Sequence, residues 1–285
     1  MKKGIIKILA LVLSIGCALA GSAYVIRAQL GIAQDVTGDS VVCDTSGILF
    51  ADDEEISRRL DNIAFGVGEW LKFDLGYGFI NAGTATMEVK DLVDFNGRPA
   101  YQIISTAESN KFFSSFYPVR DRVETIFDAV GLFSWRFEKN LREGKYRADR
   151  TYTFDQINHT VVYKSDTIVV APYVQDALSL LYYARTQPME VGKSFYIDNF
   201  TDGKNYPLEV RVLEKERIKV KAGEFECLVV EPLLQSAGIF KHEGKLTVWL
   251  TNDRLRLPIM MKTKVVVGSI TAELTDYKLG RLEEF

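Results

Sequence analysis

The sequence predicts a mainly β fold: an antiparallel curved sheet or open barrel built from two similar halves, with one helix covering the concave side. Three observations carry this. Apolar and polar residues alternate over most of 65–279, the period of half-buried strands. The plan is stated twice, since TIFDAVGLFSWRFE at 125–138 and TVWLTNDRLRLPIMM at 247–261 both read strand, polar turn, strand, with bulky apolar residues on alternate positions of the second strand. The clearest helical spacing falls between them, in VQDALSLLYYART at 174–186, where Val174, Ala177, Leu178, Leu181 and Tyr182 share a face and Pro188 stops the run.

Residues 1–20 read as a signal peptide, with a basic start (MKKGIIK), an apolar run (ILALVLSIG) and a small-residue cleavage pattern at Ala18-Leu-Ala20. Export to the periplasm follows. Two variants stay open: Ser14-Ile-Gly-Cys17 is a lipobox without the usual aliphatic residue three before the cysteine, and the stretch Ile8–Ile26 is long enough to remain as an anchor. Arg27 on the exported flank disfavours the anchor. Residues 21–64 form a linker arm with one short helix at Glu54–Ile63, entered through the acidic run Asp52-Asp-Glu-Glu55 that suits a helix N-terminus.

The first β unit spans 65–155, with strands at Glu69–Leu75, Ala82–Val89, Ala100–Ala107, Arg122–Phe127, Phe133–Leu141 and Tyr146–Phe154, and with turns at Asn96-Gly97 and Gly144. Phe133, Trp135, Phe137 and Leu141 are expected on the dry face, and Ser134, Arg136, Glu138 and Arg142 on the wet one. Residues 156–190 add two short strands, Thr160–Lys164 and Asp166–Ala171, before the helix. The second unit, 191–279, repeats the first at an offset of 124: Val191-Gly192 answers Val67-Gly68, Asp198 answers Asp74, and Leu257, Ile259, Met261 and Val265 answer the dry stripe. A single half would leave that stripe in water, which is a physical reason for two. Residues 280–285 are a tail.

Composition narrows the function. Apolar residues make up 47% and aromatics 12%, enough for a core. The formal charge is −3, and without the three leader lysines 32 basic residues face 38 acidic ones, a net of −6. No basic stripe is visible, which argues against nucleic acid and against long-range attraction to anionic membranes. Once the leader is removed, Cys43 and Cys227 remain. They can pair in an oxidising compartment, or Cys227, alternating with Phe225 and Val229, can be a buried thiol. No G-x-S-x-G elbow, H-E-x-x-H or phosphate loop occurs, and His159 and His242 lack companion ligands. No enzyme, metal or cofactor is therefore expected. The acidic residues are read as solvated, outward strand positions.

The candidate ligand-binding residues are aromatic. Lys111–Pro118 places Phe112, Phe113, Phe116 and Tyr117 between two strands where a polar loop is expected, and Phe240 sits in its counterpart, Ser236–Phe240. Such a loop folds back as a lid or exposes an apolar lip. Trp135 and Trp249 are candidates for an apolar interior, although packing alone justifies them. Tyr182 and Tyr183 point about 100° apart on a helix, so at most one serves the core fully.

VGEWLKFDLGYGFINAGTATMEV, VQDALSLLYYART and VWLTNDRLRLPIMM together resemble an exported bacterial family, domain of unknown function 3108, over about residues 65–279. The resemblance carries over no catalytic or binding residue. TVWLTNDRLRLPIMM is also similar to a hairpin of the periplasmic lipoprotein carriers of the Lol system, half-open barrels that shelter acyl chains. That likeness implies architecture, and fold does not fix function. The expectation is a non-enzymatic exported protein whose partner is a lipid or lipoprotein acyl chain, or alternatively another envelope protein bound without a small ligand.

Overall fold

A computed structural model describes residues 56–201, 203–234, 246–264, 269–283 and 285. The expected signal peptide, most of the linker arm, Cys43 and Phe240 lie outside them. Fourteen strands among the described residues form one antiparallel sheet. The first six are β1 (Trp70–Tyr77), β2 (Ile80–Phe95), β3 (Arg98–Ser109), β4 (Arg120–Asp128), β5 (Ser134–Glu143) and β6 (Tyr146–Asp155). Two short strands follow, β7 (Thr160–Tyr163) and β8 (Asp166–Val169), and then β9 (Ser194–Thr201), β10 (Lys204–Val220), β11 (Gly223–Leu234), β12 (Leu246–Thr251), β13 (Pro258–Lys264) and β14 (Ser269–Lys278). One-turn α1 (Lys111–Ser114) lies between β3 and β4, and α2 (Ser179–Thr186) between β8 and β9.

The order across the sheet is β8-β7-β6-β5-β4-β3-β2-β1-β14-β13-β12-β11-β10-β9. Each strand pairs with its neighbour in sequence, except that β8 and β9 stay apart at the two edges and β1 pairs with β14, joining a run of eight strands, β1–β8, to one of six, β9–β14. The runs match: β9, β10 and β13 each begin 124 positions after β1, β2 and β5. Ladder irregularities recur too, between Val89 and Asp91 and again between Val212 and Glu214.

The sheet curls without closing. Tyr152 and Phe154 on β6 set their rings against Phe200 on β9, with centroids 5.6 and 5.9 Å apart, although β6 and β9 are at opposite ends of the strand order. One segment reaches both ends through its backbone: the Val170 N–H donates to His159 O beside β7, while the Gln175 N–H donates to Asp198 O and Gln175 O accepts from the Phe200 N–H on β9. Helix α2 lies within the curve and buries Ser179, Leu181, Tyr182, Ala184 and Arg185. The inner face of the sheet is the one carrying Phe73, Leu75, Tyr101, Ile103 and Phe127, all fully buried.

Three sequence expectations change. The helix is shorter than 174–186, because Gln175 is held extended against β9 and the Asp176 carboxylate then accepts the Leu178 and Ser179 N–H groups at 2.7 and 2.9 Å, so the first helical turn starts there. The described part of Glu54–Ile63 is not helical: Leu60 N–H donates to Val130 O, Ile56 O accepts from Arg98, and the Asn62 side chain holds the Ala64 and Phe65 N–H groups. Those backbone groups are spent on the sheet rather than on a helical ladder. Finally, Trp135 leaves the inner stripe. The β4–β5 register pairs Ile126 with Arg136 but Phe127 with Ser134, so Trp135 is the extra residue of a bulge and turns outward, while Ser134 goes in and is fully buried. Phe133 follows it into a small outer cluster with Ala100 and Ile126.

Hairpin connectivity sorts the turns into two ends. One end, here the rim, carries the turns at 78–79, 110–119, 144–145 and 164–165, the start of β10 and the end of β13. The other, the base, carries 96–97, 129–133, 252–257 and helix α2, whose Arg185 reaches Leu255 O.

Candidate functional site

The aromatic loop at the rim is a built structure. Asn110 caps α1 by accepting the Phe113 N–H at 3.0 Å, and its amide donates to Asn81 O at 2.7 Å, tying the loop to the start of β2. Ser109 and Ser114 hydroxyls meet at 2.7 Å. Helical spacing then sorts the side chains by i, i+4 pairs. Phe113 and Tyr117 point in, at 6% and 7% exposure, while Phe112 and Phe116 point out, at 69% and 44%. The three phenyl rings contact one another edge to face at 5.3–5.5 Å. The expected lip is therefore half seated and half exposed. Beside it, in the β1–β2 turn that Asn110 touches, Phe79 is fully exposed and Ile80 more than half so. Sequence reading passed over both, since a turn flanked by Gly78 is ordinarily polar at its tip.

The two inward aromatics predict different costs from the two outward ones. Phe113→Ala is expected to lower unfolding free energy by about 3 kcal/mol or more, as a large buried ring is deleted. Phe112→Ala is expected to change it by less than about 0.5 kcal/mol. Urea unfolding of both variants checks this.

Beneath the lip is a buried polar cluster. Asp121, Lys139 and Glu143 face inward at 1–2% exposure, and Arg150 stands opposite Lys139 in the β5–β6 register. The Asp121 carboxylate accepts the Arg142 N–H at 2.7 Å. As a carboxylate, Glu143 has no donor for either oxygen. Burial first, then the Asp121 charge and the hydrogen bond a protonated Glu143 gives Asp121, push its acidity to about 8 against the pull of Lys139. Tyr117 covers this cluster, packed so closely over Gly144 that a Cβ there would come within 2.6 Å of the ring. Burial, Glu143 and Asp121 push its phenol up to about 12.

The remaining candidates do not join this place. Tyr182 is wholly buried near the base, 4.9 Å from the Phe65 ring, with its hydroxyl unpartnered and its ionisation suppressed by burial. Tyr183 is half-buried under the Arg58 guanidinium at 5.3 Å. Trp135 stacks on Phe95 on the outer face and donates to Asp128. Trp249 pairs across the ladder with Val229 and Met260, opposite in face to Val248 and the inward Met261, and donates to Glu216 at 2.7 Å. Neither tryptophan lines the concave side; both pack the convex one, each bound to an acid.

Other sites are structural. Cys227 is a free, buried thiol whose ionisation burial pushes up to about 12. Asp176 accepts the Thr125 and Ser134 hydroxyls as well as its two backbone donors, and burial holds its acidity up. Among the described residues no group of three or more His, Cys, Asp and Glu could hold a metal ion. An open cleft of about 460 Å³ lies between Pro188, Met189, Phe195 and Val212 at the base. No described helix is long and apolar enough to cross a membrane.

Comparisons with known proteins agree with this architecture. A β-barrel-like protein of domain of unknown function DUF1849 from Brucella abortus superposes with a TM-score of 0.50 at 11% identity, covering 76% of this chain and all of its own. A Bacteroides fragilis protein provisionally described as exported, with a YmcC-like fold, gives 0.36 at 12% identity over 75% of this chain and 97% of its own. One from Parabacteroides distasonis, provisionally described as a lipoprotein, gives 0.34 at 9% over the same shares. Only the first superposes well enough to bear on the fold. No curated protein matches the chain. The family model described as "Protein of unknown function (DUF3108)" matches residues 72–275, well over half of the sequence, and the chain belongs to that family.

Proposed function

We propose that this is an exported, non-enzymatic protein of the cell envelope that binds or carries an apolar molecule, a lipid or an acyl chain, through the rim. One observation carries the reading: Phe112 and Phe116 are held in water by a capped, hydrogen-bonded turn whose other two aromatics are seated in the core. Folding alone does not require two exposed phenyl rings, whereas an apolar ligand does. The hydroxyls closest to a buried acid, Thr125 and Ser134, support the non-enzymatic reading. Both are fully buried, and Asp176, already accepting two hydroxyls and two amides, has no lone pair to spare as a base.

A second reading keeps the rim and replaces the lipid by an envelope protein. The filling of the concave side by α2, with Tyr182 and Arg185 wholly buried, favours a surface contact over an engulfed ligand. Native mass spectrometry of protein purified from its own envelope, before and after organic extraction, separates the two. Extra mass removed by extraction is the expected result; a bare mass in both samples assigns the rim to a protein partner.

A further inference from the structure

Charge at the rim is segregated from the rest of the molecule. Within two residues of its described turns and strand ends, the exposed cations are Lys111, Arg120, Lys145, Arg147, Lys164, Lys204 and Lys264. The exposed acids there are Glu108, matched by Arg120 at 3.4 Å, and Asp166, which shares the β7–β8 turn with Lys164. Asp121 and Glu143 belong to the same strand ends but are buried. The base mixes signs, with Asp61, Asp94, Glu190 and Asp253 among Arg59, Lys193 and Arg254. A chain of net negative charge thus presents a positive collar at one end, and the collar surrounds Phe79, Ile80, Phe112 and Phe116, which are 44–109% exposed.

We infer that the rim docks on a bilayer surface containing anionic lipids, with these four apolar side chains entering the interface and the lysines meeting headgroup phosphates. The pattern is the one interfacial binding requires: apolar area supplies depth, and the ring of cations supplies attraction to anionic headgroups. Lysine stems can lie along the apolar patch while their ammonium groups stay in the headgroup layer. A soluble apolar ligand would need the phenyl rings but not the collar. The inference shares the lip with the proposed function and adds to it a surface with a charge requirement.

The mature chain is tested by co-sedimentation with vesicles of phosphatidylcholine, alone and mixed with phosphatidylglycerol. Binding to the anionic vesicles, weakened by added salt, is expected. Lys111→Gln and Lys145→Gln are each expected to weaken it about fivefold. Lys219→Gln, exposed near the base, should leave it unchanged. The Phe112→Ser, Phe116→Ser double variant should lose binding to both vesicle types while keeping the wild-type unfolding midpoint. Equal binding to both compositions, or equal loss from Lys219→Gln, overturns the inference. Absence of vesicle binding also overturns it, and together with a bare mass gives the rim to a protein. If extractable mass is found in that case, the ligand reading survives alone; vesicle binding with a bare mass leaves the docking alone standing.

Discussion

Replacing Arg185 with methionine is expected to cost about 3–5 kcal/mol of unfolding free energy, because it strands a buried carboxylate. Both Arg185 terminal nitrogens donate to Glu69 at 2.7 Å, and the side chains are 0% and 2% exposed. The same guanidinium donates to Ala64 O at 2.9 Å and Leu255 O at 3.1 Å, and lies 5.4 and 5.3 Å from the Phe65 and Tyr182 rings. Burial works against its charge, and Glu69 more than restores it. This one side chain ties the entry to β1, the helix and the β12–β13 turn, so it joins both runs of strands at the base. A double variant, Glu69→Gln with Arg185→Met, removes both charges and should recover a large part of the loss, since a buried pair is worth little against a neutral replacement. Urea unfolding of the wild type, both singles and the double provides the cycle. An Arg185→Met variant within about 1 kcal/mol of the wild type would show that water reaches Glu69.

Neither that pair nor the Asp121–Glu143 cluster follows from assigning acids to outward positions, yet part of the signal was present. Lys139 and Glu143 alternate with Phe137 and Leu141, so a period of two already places them on the inner face. Charge type had outweighed register in the reading, and register decides where a side chain points. The strands and the 124-residue offset were legible because alternation and turn residues are local. The bulge at Trp135 was not, since one residue inserted in β5 against β4 is a property of the pair. At the lip, four aromatics could be seen in sequence, but which two face water was set by Asn110 capping a turn onto Asn81, nearly thirty residues away. The early start expected for α2 failed likewise: residues 174–176 have helical periodicity, and a backbone bridge to β9 overrides it.

Stability is expected to fall as pH rises between about 4.5 and about 8, and Glu143 is the cause. Its folded-state acidity lies above its ordinary value, so within that window the folded chain keeps a proton that the unfolded chain releases. Raising pH therefore draws the equilibrium toward unfolding, by at most about 1.4 kcal/mol per pH unit, and the effect flattens once Glu143 ionises in both states. Asp176, held up by burial, contributes with the same sign, so the informative quantity is the difference from Glu143→Gln. Glutamine imitates the protonated acid and can still donate to Asp121. The two proteins should be equally stable at pH 4 and diverge above it, with the variant the more stable at pH 9. A flat difference would show that Lys139 or Arg150 already neutralises the carboxylate. Because the Gly144 N–H donates to Pro118 O and Val119 bridges to Glu143, the new charge appears directly under the lip. Tyr117, with its phenol near 12, stays protonated throughout and gives no compensating change. Amide protection at residues 110–119, taken relative to the intrinsic exchange rate at each pH, should accordingly fall above pH 8 in the wild type and not in Glu143→Gln, which would make the exposure of Phe112 and Phe116 a proton-linked property.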